Sequence, residues 1–346
     1  MKINGKSLDK CYIIAELSAN HNGDFERAKA IIKAAADAGA DAIKLQTYKP
    51  ETITLNSKRP EFNIKGGLWD GYRLYDLYKE AMTPWQWHEP LMQYAFECGL
   101  DCFSSPFDSS AAELMASLDM PAFKIASFEI TDIPLITKCA QYGKPMIIST
   151  GCAHLGDIDR ALEACYKVGN DQIALLKCVS SYPASFEDMN LKAIETLRKT
   201  FGCVVGLSDH TLGSEVALGA VALGAKIVEK HLTLKRSDGG HDSAFSMEAS
   251  EFASMCEQIR NLEKALGSDK YELSEAQKNA RKDARSLYVC ADVKKGEIFS
   301  EENVRSVRPN LGLMPRFLPD VLGKKARRDI EAATPMSWDL VEEFLF

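Results

Sequence analysis

The chain has 346 residues, 46% of them hydrophobic, with 42 basic and 49 acidic side chains for a net charge of −7. That length suits one large domain plus a small one, and the mild acidity argues against a nucleic-acid binder or a basic membrane-surface protein. The opening MKINGKSLDK lacks the apolar region of a secretory signal, no run nears the ~20 apolar residues of a membrane span, and ten cysteines without a C-x-x-C pair predict buried thiols in a cytoplasmic protein.

From the N-terminus, strand-like and helix-like patterns alternate. Apolar runs at 12–16, 42–46, 101–105, 121–126, 144–149, 172–178, 203–207 and 226–230 predict eight strands. After the first, Ala28, Ile31, Ile32 and Ala35 recur at helical spacing behind Asp24, a natural N-cap. The second strand is followed by about 35 residues before Thr83, with Trp69, Tyr72, Tyr75 and Tyr78; a loop of that length and aromatic content predicts a lid with its own short helix. Thr83-Pro84-Trp85-Gln86 predicts a helix start, with Thr as cap, Pro at the first position and Gln three residues on. Gly39, Gly99, Gly143, Gly169, Gly202 and Gly224 each end a helix before the next strand. Eight such units in roughly 265 residues predict an α/β fold of the (β/α)8 TIM-barrel type rather than an open sheet. A helix over about 249–266 ends the repeat, and a polar stretch follows. The expected organisation is a barrel over 1–268, a linker over 269–284 and a small β-rich domain over 285–346 with strands at SLYVCA, EIFS and VRSVRP. A domain of that size is marginal alone and should lean on the barrel or on a partner chain.

In such a barrel the chemistry lies where strands end. Here the ends carry Glu16; Lys44 and Gln46; Ser105; Lys124, Ser127 and Glu129; Ser149; Lys177, Ser180 and Tyr182; Ser208 and His210; Glu229, Lys230 and His231. Charges placed inside apolar strands cost several kcal/mol unless paired, so these positions predict a site. Lysines among serines make a cationic cup suited to a phosphate or carboxylate. His210 and His231 end neighbouring strands and read either as two ligands of a divalent metal or as two ordinary hydrogen-bonded histidines, with His21 placed to join them. His241 lies in a glycine-rich loop, while His88 and His154 read as structural. Glu16, Glu129 and Asp242 are the candidate acid–base carboxylates, unless each only pairs with a lysine of the cup. Cys152 offers no case for a nucleophile, and Lys324 to Arg328 reads as a solvated face.

Ile-Ala-Glu16, Asn20-His21-Asn22-Gly23, Ser-Pro-Phe-Asp108, Lys124-Ile-Ala-Ser127, Ser149-Thr-Gly151, Gly206-Leu-Ser-Asp-His210-Thr211 and Glu229-Lys-His231 resemble, in order and spacing, the sialic acid synthase family. The tail, with Val-Lys294-Lys295-Gly296-Glu and Val307-Arg308-Pro309, resembles its antifreeze-like (SAF) domain. Lys124-Ile-Ala-Ser-Phe128-Glu-Ile-Thr-Asp and Arg236-Ser-Asp-Gly-Gly-His-Asp242 are most similar to the branch that makes pseudaminic acid, with His241 where proline is common there. N-acetylneuraminate- and legionaminate-forming enzymes are the sibling alternatives; a metal-dependent barrel hydrolase and a non-catalytic scaffold are more remote. The resemblance implies a transferase that condenses phosphoenolpyruvate with an amino-sugar aldehyde. It implies phosphoenolpyruvate on Lys44, Ser105, Lys124, Ser127, Ser149, Ser180 and Ser208. It implies the sugar near Gln46, Phe128, Tyr182 and Arg308, a divalent ion, Mn2+ or Mg2+, on His210 and His231, and catalysis by Glu16, Glu129 and Asp242. It also implies a domain-swapped homodimer in which Arg308 serves the other subunit's site.

Overall fold

The structure, a computed structural model, describes residues 1–342. Residues 343–346, the end of the expected small domain, lie outside the described residues. The eight apolar runs form parallel strands: β1 (Tyr12–Glu16), β2 (Ala42–Thr47), β3 (Asp101–Pro106), β4 (Phe123–Ile125), β5 (Met146–Ser149), β6 (Ile173–Cys178), β7 (Val204–Asp209) and β8 (Ile227–Thr233). Each pairs with the next, and β8 also pairs with β1, Ile227 opposite Tyr12, so the sheet closes on itself with no free edge. The expected TIM barrel is thus the observed fold.

Buried β-branched and leucine side chains, among them Ile13, Ile14, Ile43 and Leu45, fill the space within and around the barrel. Helices cover its outside because each offers an apolar stripe. The helix Phe25–Asp37 buries Ala28, Ile31, Ile32 and Ala35, and the Asp24 side chain accepts from the amides of Glu26 and Arg27 at its start. The six helix-closing glycines all adopt positive φ, from +65° at Gly202 to +94° at Gly224.

The helix expected from Thr83 begins instead at His88 and runs to Glu97, after a 3-10 turn over Trp85–Trp87. Thr83 is buried with its hydroxyl 3.4 Å from His21 Nε2, and the backbone at Pro84 is not helical (ψ 133°), so helical turns start only at Trp85. The long segment after β2 holds more structure than one short helix: helices at Pro50–Ile53 and Leu74–Ala81 and a 3-10 turn at Pro60–Phe62.

Residues 1–267 and those from Ser268 onward form two compact units. In the second, β9 (Ser286–Val289) and β10 (Val304–Val307) pair antiparallel over a core that includes Leu287, Val289, Val293, Phe299, Val304 and Met336. The run EIFS does not form a strand. It makes one isolated bridge, Ile298 to Lys325, because Gly296 turns the chain just before it while Phe299 turns into the core. Part of the expected linker is helical, Glu275–Ala280, capped by Ser274 and Gln277. Among the described residues no helix is long and apolar enough to cross a membrane.

Candidate functional site

Side chains alternate across a strand, so residues two apart share a face. At the C-terminal ends this turns Lys44 and Gln46 of β2, Ser208 and then His210 after β7, and Glu229 and His231 of β8 into one cavity of about 610 Å3. Ser127, Phe128 and Glu129 enter from a 3-10 turn after β4, Ser180 and Tyr182 from the loop after β6, and Asp242 from the loop after β8. The segment after β2 adds an apolar wall of Ile53, Ile64, Trp69, Leu74 and Leu77. Of the residues the resemblance assigned a role, all but Ser105 and Arg308 line this cavity, whereas Lys177, Lys230 and His21 do not. Ser105 stands just behind it, accepting from Lys44 Nζ at 3.0 Å, and Arg308 is an exposed residue of the second unit, directly after β10.

The floor is a charge cluster. Lys44 Nζ lies 2.5 Å from Glu16 Oε2 and 3.7 Å from Glu229 Oε1; Lys124 Nζ lies 3.3 Å from that same Glu229 oxygen, and Ser208 donates to it at 3.1 Å. All four charged groups are buried. Burial raises Glu16 to about 7 and lowers Lys124 below the usual lysine range. Burial acts on Lys44 and Glu229 as well, but their opposite charges outweigh it, holding Lys44 up and Glu229 down.

The cluster leaves several atoms unused. Ser149 Oγ, Ser180 Oγ, Glu129 Oε2, Glu229 Oε2 and His231 Nδ1 are buried with no hydrogen-bond partner among the described residues. Each such group costs about 1–3 kcal/mol, and their gathering around one cavity marks a ligand's place. Gly151 belongs to the same design: a β-carbon there would come within 2.3 Å of Ser180 Oγ and 2.7 Å of Ser127 Oγ, so the absent side chain leaves room for both hydroxyls.

Above the floor, the rings of His210 and His231 lie 5.3 Å apart, with Tyr182 4.5 Å from His210 and Phe245 4.9 Å from His231. His210 Nδ1 lies 2.9 Å from the Val179 carbonyl, which can only accept, so Nδ1 carries hydrogen and Nε2 is left for another partner. Burial, with His210 and the lysines, holds His231 well below the ordinary histidine range and therefore neutral. Two imidazoles so placed fit a divalent cation, which would take His210 Nε2 in place of a second proton while the Nδ1 hydrogen stays on the Val179 carbonyl. Among the described residues no group of three or more His, Cys, Asp or Glu completes such a site, so water or substrate oxygens would fill the other positions.

His21 does not join the pair. Its Nδ1 accepts from the Gly23 amide at 3.0 Å, its Nε2 faces Thr83, and its ring packs edge-on against Trp87, because the turn after β1 carries it away from the cavity. Burial lowers it to about 4.

Around the cavity mouth, Phe128 is 64% exposed. Glu129, half-buried beside it, is raised to about 7 by burial. Burial also raises Asp242, which accepts from the Ser18 hydroxyl and from the Ala19 amide at 3.3 Å. His241 ties the loop after β8 to the segment after β2: Trp69 Nε1 donates to its carbonyl at 2.9 Å, and its Nε2 lies 3.2 Å from Glu80 Oε2.

Two residues of the site carried no assigned role in the sequence reading. Glu229 is central to the floor, and its i, i+2 spacing from His231 was the available signal. Cys178 sits behind the wall, 3.8 Å from His210 Nδ1; burial alone would raise its thiol, but His210 brings it down to about 7. Lys177 and Lys230, by contrast, face away. Lys177 donates to the Cys178 carbonyl, and Lys230 pairs with Asp209 at 2.7 Å on the helix side of the sheet. Cys152 is exposed, its thiol on the Ser127 carbonyl at 2.9 Å.

A model described as the NeuB family matches residues 31–271, and one described as the SAF domain matches residues 284–342. The chain is 49% identical over 332 residues to the pseudaminic acid synthase of Campylobacter jejuni, covering 96% of this chain and 97% of that protein. It is 40% identical over 326 residues to the N,N'-diacetyllegionaminic acid synthase of C. jejuni, covering 93% and 97%. Among solved structures, the N-acetylneuraminic acid (sialic acid) synthetase of Leptospira borgpetersenii in complex with citrate superposes with a TM-score of 0.71 at 33% identity, covering 79% of this chain and 91% of that one. A match across most of the barrel, joined to likeness along nearly the whole length of these synthases, makes the chain a member of the NeuB family, with a SAF domain after the barrel.

Proposed function

We propose that the protein is a pseudaminic acid synthase, condensing phosphoenolpyruvate with 2,4-diacetamido-2,4,6-trideoxy-L-altrose and water to give pseudaminic acid and phosphate. The observation that carries this reading is the buried floor of Lys44 and Lys124 with the unused hydroxyls of Ser149 and Ser180, a receptacle for a small anion below an exposed aromatic mouth. The 49% identity to a pseudaminic acid synthase supports the choice of product.

In this reading Lys44, Lys124 and the serines at 105, 127, 149, 180 and 208 hold the phosphate and carboxylate of phosphoenolpyruvate. Carbon 3 of the enol ester attacks the aldehyde carbon, whose oxygen becomes an alkoxide, and water adds to the cation left at carbon 2. The proton that water loses balances the one the alkoxide gains. The tetrahedral adduct then breaks its C–O bond, and its hydroxyl proton leaves with phosphate. Glu16, brought toward neutrality by burial, sits beside the lysines to take and return a proton near carbon 2. Glu129 and Asp242 serve the sugar's oxygen, and Gln46 and Tyr182 position the acceptor. A divalent cation, Mn2+ or Mg2+, on His210 and His231 would supply Lewis acidity toward the aldehyde oxygen. The Phe128 ring offers apolar surface to the sugar's methyl groups and no hydrogen bond to a hydroxyl. The same reading takes the protein as a cytoplasmic homodimer in which Arg308 of each chain reaches the sugar held by the other, with neither nucleic acid nor membrane as a partner.

The test is phosphate release from phosphoenolpyruvate with Mn2+ or Mg2+, comparing the diacetamido-trideoxy-altrose with N-acetylmannosamine. Release with the first sugar alone is expected. Release with the second alone would keep the chemistry and overturn the product, and silence with both, in folded metal-loaded protein, would sink the synthase reading.

A further inference from the structure

Ser18, two residues beyond Glu16, is buried and has φ +52°, the left-handed region where side chains other than glycine are uncommon. Glycine would take that conformation without steric cost. What the serine adds is a hydroxyl in a particular place. Ser18 Oγ donates to Asp242 Oδ2, and Gln46 Nε2 donates to Ser18 Oγ at 3.4 Å and to Glu16 Oε1 at 3.1 Å. The left-handed turn also aims the next amide, that of Ala19, at Asp242 Oδ2. Two carboxylates from opposite ends of the barrel sequence are thereby joined through two short side chains.

The loop bearing Asp242 is anchored by other means. Asn20 Nδ2 donates to the Leu232 carbonyl and to Ser246 Oγ, each at 2.9 Å, and Asn22 Nδ2 donates to the Gly239 carbonyl at 3.1 Å. Arg27 pairs with Asp238 at 2.8 Å, and Ser246 Oγ donates to the Asp242 carbonyl at 2.6 Å. These contacts hold the loop's backbone and flanks. Among the described residues, the hydrogen bonds to the Asp242 carboxylate come from Ser18 and Ala19. Removing the hydroxyl therefore leaves the carboxylate on the Ala19 amide alone without releasing the loop.

We propose that Ser18 is a positioning residue for the condensation, kept in a left-handed turn so that its hydroxyl couples Asp242, through Gln46, to Glu16 and aims both at the acceptor. The inference rests on the reading of Glu16 and Asp242 as the acid–base groups. Two variants test it. S18G relaxes the backbone and deletes the hydroxyl, so its thermal midpoint should stay within about 3 °C of the parent or rise. Its kcat should fall on the order of 10- to 100-fold with the KM for phosphoenolpyruvate unchanged. S18A should show the same kinetic loss with a lower midpoint than S18G, since its β-carbon stays in the strained turn. A serine that merely stabilised the fold would give the reverse: kcat per folded molecule kept, midpoint lowered. An S18G kcat within about two-fold of the parent would overturn the proposal. Hydrogen exchange supplies a readout independent of any substrate: the Ala19 amide should exchange faster in S18G while the amides of β8 keep their protection. Equal protection of Ala19 would overturn the positioning role even if the parent enzyme turned over neither sugar, a result that by itself counts against the synthase reading alone.

Discussion

The two ends of the barrel use buried carboxylates in opposite ways. At the N-terminal end, Asp101 accepts from Tyr12 Oη and Asn4 Nδ2 at 2.7 Å each and from Lys6 Nζ at 2.9 Å. Asp41, half-buried there, accepts from the Ile13 amide at 2.8 Å and from Arg260 at 2.7 Å. At the C-terminal end Glu229 and Glu129 each keep an oxygen without a partner, beside unpartnered serines and a histidine nitrogen. Satisfied groups hold the hairpin of Lys2–Ile3 and Lys6–Ser7 and the helix Ala249–Leu266 against the N-terminal end of the barrel. Unsatisfied groups lower stability and are retained where a ligand completes them. Burial does not tell Asp101 from Glu229, and each has three partners; the oxygen that Glu229 keeps unpartnered does.

The largest expected effect would break that contrast most directly. Replacing both Ser149 and Ser180 by alanine removes two idle hydroxyls, so the unfolding free energy should hold or rise by about 1 kcal/mol. In the same protein kcat/KM for phosphoenolpyruvate should fall on the order of 10^2- to 10^3-fold. Loss of stability in step with activity would mean the hydroxyls belong to the fold. Next comes Asp101→Ala, which strands a buried tyrosine hydroxyl; denaturant unfolding should register a loss of about 3 kcal/mol while kcat of the folded enzyme is preserved.

Phe128→Gly sharpens the contrast within the rim itself. Selectivity for the diacetamido sugar over N-acetylmannosamine should drop by about 1–3 kcal/mol, roughly 10- to 200-fold. An unchanged ratio of kcat/KM values would remove the ring from the account of specificity. The smallest effect is in pH dependence. Glu129, raised by burial from its ordinary 4.5 to about 7, binds protons in the folded state that the unfolded chain releases. Its stabilising protonation is complete below 4.5 and is lost as pH climbs through 7, so stability should decline across that window. Allowing for water around the half-buried carboxyl, Glu129→Gln should flatten the decline by on the order of 1–2 kcal/mol, measured by urea unfolding at pH 5 and 7.5.

Much of this organisation was legible in the residues. Apolar runs of strand length, glycines at helix ends and the Asp24 cap each encode local structure, and all of these appear in the fold. The rim was legible because a charge at the end of an apolar strand is too costly to keep there without a partner or a ligand. Alternation separates Glu229 and His231 from Lys230, and applied strictly it would have kept Glu229 in the site and left Lys230 out. Other features depend on partners distant in sequence. Thr83 turns to His21 across 62 positions, and Trp69 meets His241 across 172, pairings that no local pattern encodes. EIFS has strand composition, but the turn at Gly296 leaves it room for a single bridge. The left-handed turn at Ser18 is invisible in a string of letters, since serine there looks ordinary.

The cavity's depth carries a kinetic consequence. Lys44, Lys124 and Ser149 at its base are all at most 4% exposed, whereas Phe128 at its mouth is 64% exposed. With phosphoenolpyruvate on the base and the sugar at the mouth, as proposed, the anion would have to arrive before the sugar and phosphate would leave after the sugar acid. That reading predicts a compulsory order, first in and last out, with phosphate competing in steady-state inhibition with phosphoenolpyruvate rather than with the sugar.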